Sequence, residues 1–211
     1  LSSRKDSMSE AVQAVKAADA GIKGITALIE AAKGVASAAL ATASTDDRKN
    51  YAETFDTIMG QINDLAKDAG YRGTNFLAKE NLTVEFAPKT GDSTLEIKGF
   101  DASASGMSVS VAANNWASST DITKSAGELE KALDTLRSES SKLSANLSVV
   151  TTRQDFTDTM INTLTIGADN LTLADMNEEG ANMLMLQTRQ NLGISSLSMA
   201  SQAAQAVLRL F

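Results

Sequence analysis

Apolar side chains recur at spacings of three, four or seven over residues 1–43: Leu1, Met8, Val12, Val15, Ile22, Ile25, Ile29, Ala36 and Leu40. Such spacing returns to one face of a helix and predicts a single long helix with a narrow apolar stripe. Gly21, Gly24 and Gly34 interrupt it. Each costs about 1 kcal/mol of helix propensity and lets a neighbouring helix come close. Ser44-Thr45-Asp46-Asp47 reads as a break followed by a new N-cap. Over residues 47–69, Tyr51, Phe55, Ile58, Ile62, Leu65 and Ala69 form an unbroken heptad seam, with Gly70 placed as a C-cap.

The period then changes from helical to alternating. Leu82 to Phe86 and Thr94 to Phe100 read as two half-buried strands, with turn chemistry between Pro88 and Ser93. Met107 to Val111 reads as a third alternating run, and the Ser/Ala-rich Ala102 to Ser119 as exposed loop. Helical periodicity resumes over 121–165, with Asp121 as its cap. Ile122, Leu129, Leu133, Leu136, Leu143, Leu147, Val150, Ile161 and Leu164 keep the heptad, and Ser140, Gln154 and Thr157 are polar interruptions. Residues 167–172 are a hinge candidate, and 173–211 a last helix of another kind. From Gly180 onward its only charged side chains are Arg189 and Arg209. Apolar residues alternate there with Ser and Gln, a composition that favours burial all round and stays frayed until a partner covers it.

The predicted fold is mainly α: an elongated rod of three long heptad helices, a small β-hairpin region and a separate C-terminal helix. The expected core is Val12, Val15, Ile22, Ile29, Tyr51, Phe55, Ile58, Ile62, Leu65, Leu129, Leu133, Leu136, Leu143, Leu147 and Val150. The divisions are 1–81 for the first half of the rod, 82–118 for the β region and loop, 119–166 for the second half, 167–172 for the hinge and 173–211 for the terminal helix.

Composition narrows the functions open to such a chain. Aromatic residues make up only 4%, so packing relies on small and aliphatic side chains. The net charge of −7 is spread thinly, with no basic stripe for nucleic acid and no cationic face for anionic lipid. Cysteine and histidine are both absent. That removes disulfides, a thiolate nucleophile, the commonest general base and the commonest metal ligands. No catalytic constellation, cofactor site or metal site is expected, and the chain reads as a non-enzyme. Acidic pairs such as Asp46-Asp47 and Glu178-Glu179 read as helix N-terminal charges. No signal peptide is visible, and no apolar run is read as long enough to span a bilayer. The chain starts at Leu1 in sequence already helical, so an N-terminal piece is expected to be missing.

The run Ser196-Leu197-Ser198-Met199-Ala200-Ser201-Gln202-Ala203-Ala204-Gln205-Ala206-Val207-Leu208-Arg209-Leu210-Phe211 resembles the C-terminus of bacterial flagellins. Gly70-Tyr71-Arg72-Gly73-Thr74-Asn75-Phe76-Leu77 resembles the aromatic-x-Gly turn after their second rod helix. With only 82–118 between the rod halves, the chain is similar to a minimal flagellin without large outer domains, of alphaproteobacterial kind.

That resemblance implies a structural subunit of the flagellar filament. It would leave the cytoplasm by type III export, self-assemble outside the cell through its terminal helices and serve motility. The polymerising and chaperone-binding residues implied are Met183, Leu186, Ile194, Leu197, Ala200, Ala204, Val207, Leu208, Leu210 and Phe211. The implied partners are copies of itself, an export chaperone at 173–211, and the junction and cap proteins of the flagellum. Many members carry an innate-receptor site with Arg, Leu and Gln one turn apart. Here Glu30, Gly34 and Ser37 stand at those places, which implies a degenerate site. Two other readings are a hook–filament junction protein and a membrane-associated or adhesive module that uses the C-terminal helix as an amphipathic anchor.

Overall fold

The computed structural model describes residues 1–87, 93–172 and 176–209. The turn expected from Pro88 to Ser93 falls largely outside them, as do Leu210 and Phe211. The chain divides into two compact units, Leu1–Ile161 and Asn162–Phe211.

In the first unit, α1 runs Ser2–Ala41 and α2 runs Thr45–Asp68, antiparallel partners joined by a short turn. Ser44 caps α2 by accepting the Asp47 N–H at 3.2 Å. Arg48 reinforces the turn: its Nε donates to the carbonyls of Ala39 (3.3 Å) and Thr42 (2.9 Å), orphan acceptors at the end of α1. α2 ends on Ala69, whose N–H returns to Leu65 O, so Gly70 is not the left-handed cap expected from sequence. Among the described residues the glycine with positive φ is Gly73, at the tip of a turn closed by Tyr71 and Thr74.

Strands β1 (Leu82–Glu85) and β2 (Thr94–Ile97) pair antiparallel, with Leu82 opposite Ile97 and Val84 opposite Leu95. Two strands alone are marginal. This hairpin buries Val84, Phe86 and Ile97. Two side chains tie it down: Arg4 pairs with Glu85, and the Arg153 guanidinium sits 5.2 Å from the Phe86 ring centroid.

Met107–Val111 forms no strand, and 102–118 is a loop with many exposed residues that is nevertheless anchored by buried ones. Ala102, Ala104, Met107, Val109 and Trp116 are all buried. Helical side chains hold this strap by accepting its backbone N–H groups: Asn63 takes Ala104 (2.8 Å), Glu128 takes Ser110 (2.8 Å) and Asp56 takes Ala112 (2.7 Å). A short 3-10 turn, Ala113–Trp116, ends it. Asn114, Asn115 and Trp116 there have positive φ, a strained conformation that asparagine tolerates best. The Trp116 indole secures it, 4.8 Å from the Phe55 ring and 3.2 Å from Ser125 Oγ.

α3 spans Ser119–Thr172. Ser118 caps it, taking the Asp121 N–H at 3.2 Å, while the Asp121 carboxylate accepts the Ser118 hydroxyl at 3.1 Å. The capping residue is therefore Ser118, with Asp121 as its reciprocal partner, because the helix starts two residues earlier than the heptad suggests. Residues 167–172, the hinge candidate, are helical, and the division between units lies at 161/162.

Of the expected core, Val15, Ile22, Ile29, Phe55, Ile62, Leu129, Leu133, Leu136, Leu143 and Val150 are buried. Val12, Tyr51, Ile58, Leu65 and Leu147 are half-buried and pack at its edge. On α2 the buried line is Ala52, Phe55, Met59, Ile62 and Ala66, so the helix is turned from its bulkiest seam toward its alanines. α1 is long and apolar enough to cross a membrane by length and composition, contrary to the sequence expectation. Its apolar face, with Met8, Ile25 and Ile29 fully buried, is satisfied inside the bundle.

Candidate functional site: the C-terminal helix

The second unit is helical over 162–172 and over α4, Met176–Leu208. Ser, Gln, Asn, Ala and Leu alternate there without a proline, although Gly180 and Gly193 each lower the helix propensity of α4 by about 1 kcal/mol. Its described side chains are all exposed, including large apolar ones: Leu171, Met176, Met183, Leu184, Met185, Leu186, Leu192, Ile194, Leu197, Met199, Val207 and Leu208. Leu171 is 89% exposed and Leu208 77%. Positions 183–186 alone cover four successive directions at about 100° per residue, so apolar groups face every side of α4. A helix of this kind is stable only when covered all round. An interfacial anchor has one apolar and one cationic face, and α4 has neither, which counts against the membrane-anchor reading.

Eight of the ten residues expected to carry assembly are exposed on α4: Met183, Leu186, Ile194, Leu197, Ala200, Ala204, Val207 and Leu208. Leu210 and Phe211 lie outside the described residues. The alanines leave shallow places where another backbone approaches closely. Two exposed apolar residues in the first unit were missed from sequence: Val149 (45%) and Phe156 (55%), seven apart on α3. They sit just outside the buried line Leu143, Val150, Thr157, and a one-residue offset from a heptad is easily taken for its edge.

Glu30, Gly34 and Ser37 are exposed on one face of α1, and a Cβ built on Gly34 meets nothing within 4 Å. Concavities of the first unit are open. One of about 510 Å³ lies between α1 and α3, lined by Asp19, Ile22, Thr26, Leu136 and Ser140 among others. Among the described residues no group of three Asp or Glu side chains is placed to hold a metal.

The Asp101 carboxyl has a pKa below its ordinary value. The Ser103 hydroxyl it accepts at 2.6 Å lowers it most, burial opposes this, and the Ser103 N–H and Lys79 add to the lowering. It fastens the start of the strap.

Residues 126–211 match the family described as bacterial flagellin C-terminal helical region. Over 98% of the chain and 76% of the relative, it is 26% identical to flagellin FljM of Caulobacter vibrioides. It is 27% identical to a flagellin of Brucella melitensis over 80% of the chain and 64% of the relative. Flagellin C of Rhizobium meliloti is 36% identical over 40% of the chain and 28% of its own length. Among solved structures, Bacillus cereus flagellin superposes with a TM-score of 0.61, covering 81% of this chain and 95% of that one at 16% identity, which is a likeness of fold. The relatives come from alphaproteobacteria: residues 126–211 match the flagellin C-terminal region, and the chain is similar to flagellins along nearly its whole length and resembles one in fold.

Proposed function

We propose that this chain is a structural subunit of the bacterial flagellar filament, without enzymatic activity, that assembles through residues 173–211 after export from the cytoplasm. The observation that carries the reading is α4: exposed, with apolar groups on every side and nearly without charge. Burial against other copies removes that surface from water, at about 25 cal/mol per Å² of apolar area. Contacts between unlike patches repeat without closing, which yields a filament rather than a ring-closed dimer.

Before assembly the same surface needs cover, so an export chaperone would take 173–211 as its site. Junction and cap proteins of the flagellum would meet the subunit at the filament ends. The test is sedimentation and negative-stain electron microscopy of the chain as the cell makes it, beside a variant lacking 173–211. Long filaments that vanish with the deletion are expected. Short rings from the intact chain would instead indicate a junction protein.

The exposed face with Glu30, Gly34 and Ser37 supports a second property. An acid stands where the family's receptor site has Arg, and Gly34 offers no bulk, so the intact protein should give little signal in a reporter assay for the flagellin-sensing Toll-like receptor. Strong activation by the intact chain would overturn this.

A further inference from the structure

Arg189 stands alone in α4. No other charged side chain lies between Gly180 and Leu208, and among the described residues Arg189 makes no ion pair. Its helical neighbours at three and four residues are Met185, Leu186, Leu192 and Gly193, none of which offers an acceptor side chain. Packing that covers those exposed apolar groups also covers Arg189, and a guanidinium taken from water without a carboxylate partner is strongly destabilising. Its own helix supplies no acid within reach. The nearest on α4, Glu178 and Glu179, are in the first turn. Ten residues separate Glu179 from Arg189, about 15 Å along the axis and beyond side-chain reach.

We propose that Arg189 pairs with the acidic first turn of α4, Glu179 with Glu178 beside it, in a second copy of this chain, and that this ion pair sets the axial register between neighbouring terminal helices. The inference rests on the assembly reading above. The apolar surface of α4 is alike on all sides and nearly featureless along its length, so burial alone leaves neighbouring helices free to slide. A single charge pair in such a surface fixes one offset, as buried polar groups fix register in coiled coils. Parallel helices displaced by about 15 Å bring Arg189 of one beside Glu179 of the next. Glu179 lies about 80° round the helix from Arg189. One copy thus offers its cation to one neighbour and its acid to another, and the contact propagates. An antiparallel arrangement would satisfy both pairs within a closed dimer and stop growth.

The experiment is a charge swap in the full chain, read as the critical concentration for assembly by sedimentation, with circular dichroism of the monomers as a folding control. Arg189→Glu is expected to raise the critical concentration about tenfold or more. The triple variant Arg189→Glu, Glu178→Arg, Glu179→Arg is expected to bring it back toward the wild-type value. Mixing Arg189→Glu chains with Glu178→Arg, Glu179→Arg chains should give co-filaments where each alone assembles poorly. Wild-type assembly by Arg189→Glu overturns the pair and leaves the subunit reading standing. Failure of the triple variant to recover, with normal monomer helicity, overturns it too, because the partner of Arg189 is then another group. A wild-type chain that forms no filaments removes the subunit reading itself, without reference to any variant, and the pair with it.

Discussion

At the scale of single residues, Trp116 anchors the end of the strap in the first unit. It is fully buried, touches Phe55 and donates to Ser125, and it ends three successive residues with positive φ. Trp116→Ala removes the packing that holds this strain and should cost about 3–5 kcal/mol in chemical denaturation. Gly99 is constrained by its surroundings instead: an added Cβ would strike the carbonyl oxygens of Glu80 and Phe76, backbone atoms that cannot give way. Gly99→Ala should therefore lower the melting temperature of the first unit, although nothing about that position stands out in the sequence. Asp101 supplies the pH dependence. Its folded pKa lies below the ordinary 3.8, so the stability it contributes is fully present above that value and is lost as pH falls through the folded pKa. Asp101→Asn should flatten the acid limb of the stability curve below about pH 4 and leave the neutral region's slope unchanged, as read by thermal melts across pH.

At the scale of elements, the long helices were legible because their apolar period is strong and their ends carry capping chemistry. Ser44 does what its position suggests, and the stripe of α1 is buried where its isoleucines stand. The rotation of α2 toward Ala52, Met59 and Ala66 was not legible, because alanine reads as weakly apolar and its value lies in close approach. The anchoring of the strap 102–118 was not legible for a different reason. Its serines and alanines have a loop's composition, and the groups that bury it are distant in sequence: Asp56, Asn63 and Glu128, accepting N–H bonds that no local pattern announces. Those three acceptors should be separable from the helices they sit on. Replacing all three by alanine should speed amide hydrogen exchange at Ala104, Ser110 and Ala112 by at least about tenfold and shift Trp116 fluorescence to the red, while α1 amides stay protected. Unchanged exchange at those amides would show that burial of Met107, Val109 and Trp116 alone holds the strap.

At the scale of the whole molecule, the two units differ in what stabilises them. The first has a continuous core running from Met8 to Val150, so its elements unfold together. Among the described residues of the second none is buried, and a long exposed helix relies on propensity, which is marginal in water. Heating the monomer should therefore show a gradual, non-cooperative loss of helical signal from residues 176–208, followed by one sharp transition from the first unit. Deleting 173–211 should abolish the gradual phase and move the sharp transition by less than about 2 °C, because the core of the first unit is built from residues between Met8 and Val150. In assembled material the order should invert. Amides of α4 that exchange within seconds in the monomer should become the slowest in the filament, since burial against other copies is then their source of protection. Hydrogen exchange on monomer and polymer, followed by peptide mapping, reads both states in one experiment. Slow exchange of α4 in the isolated monomer would mean that it is covered before any second copy arrives, and the apolar surface would no longer be available to drive assembly.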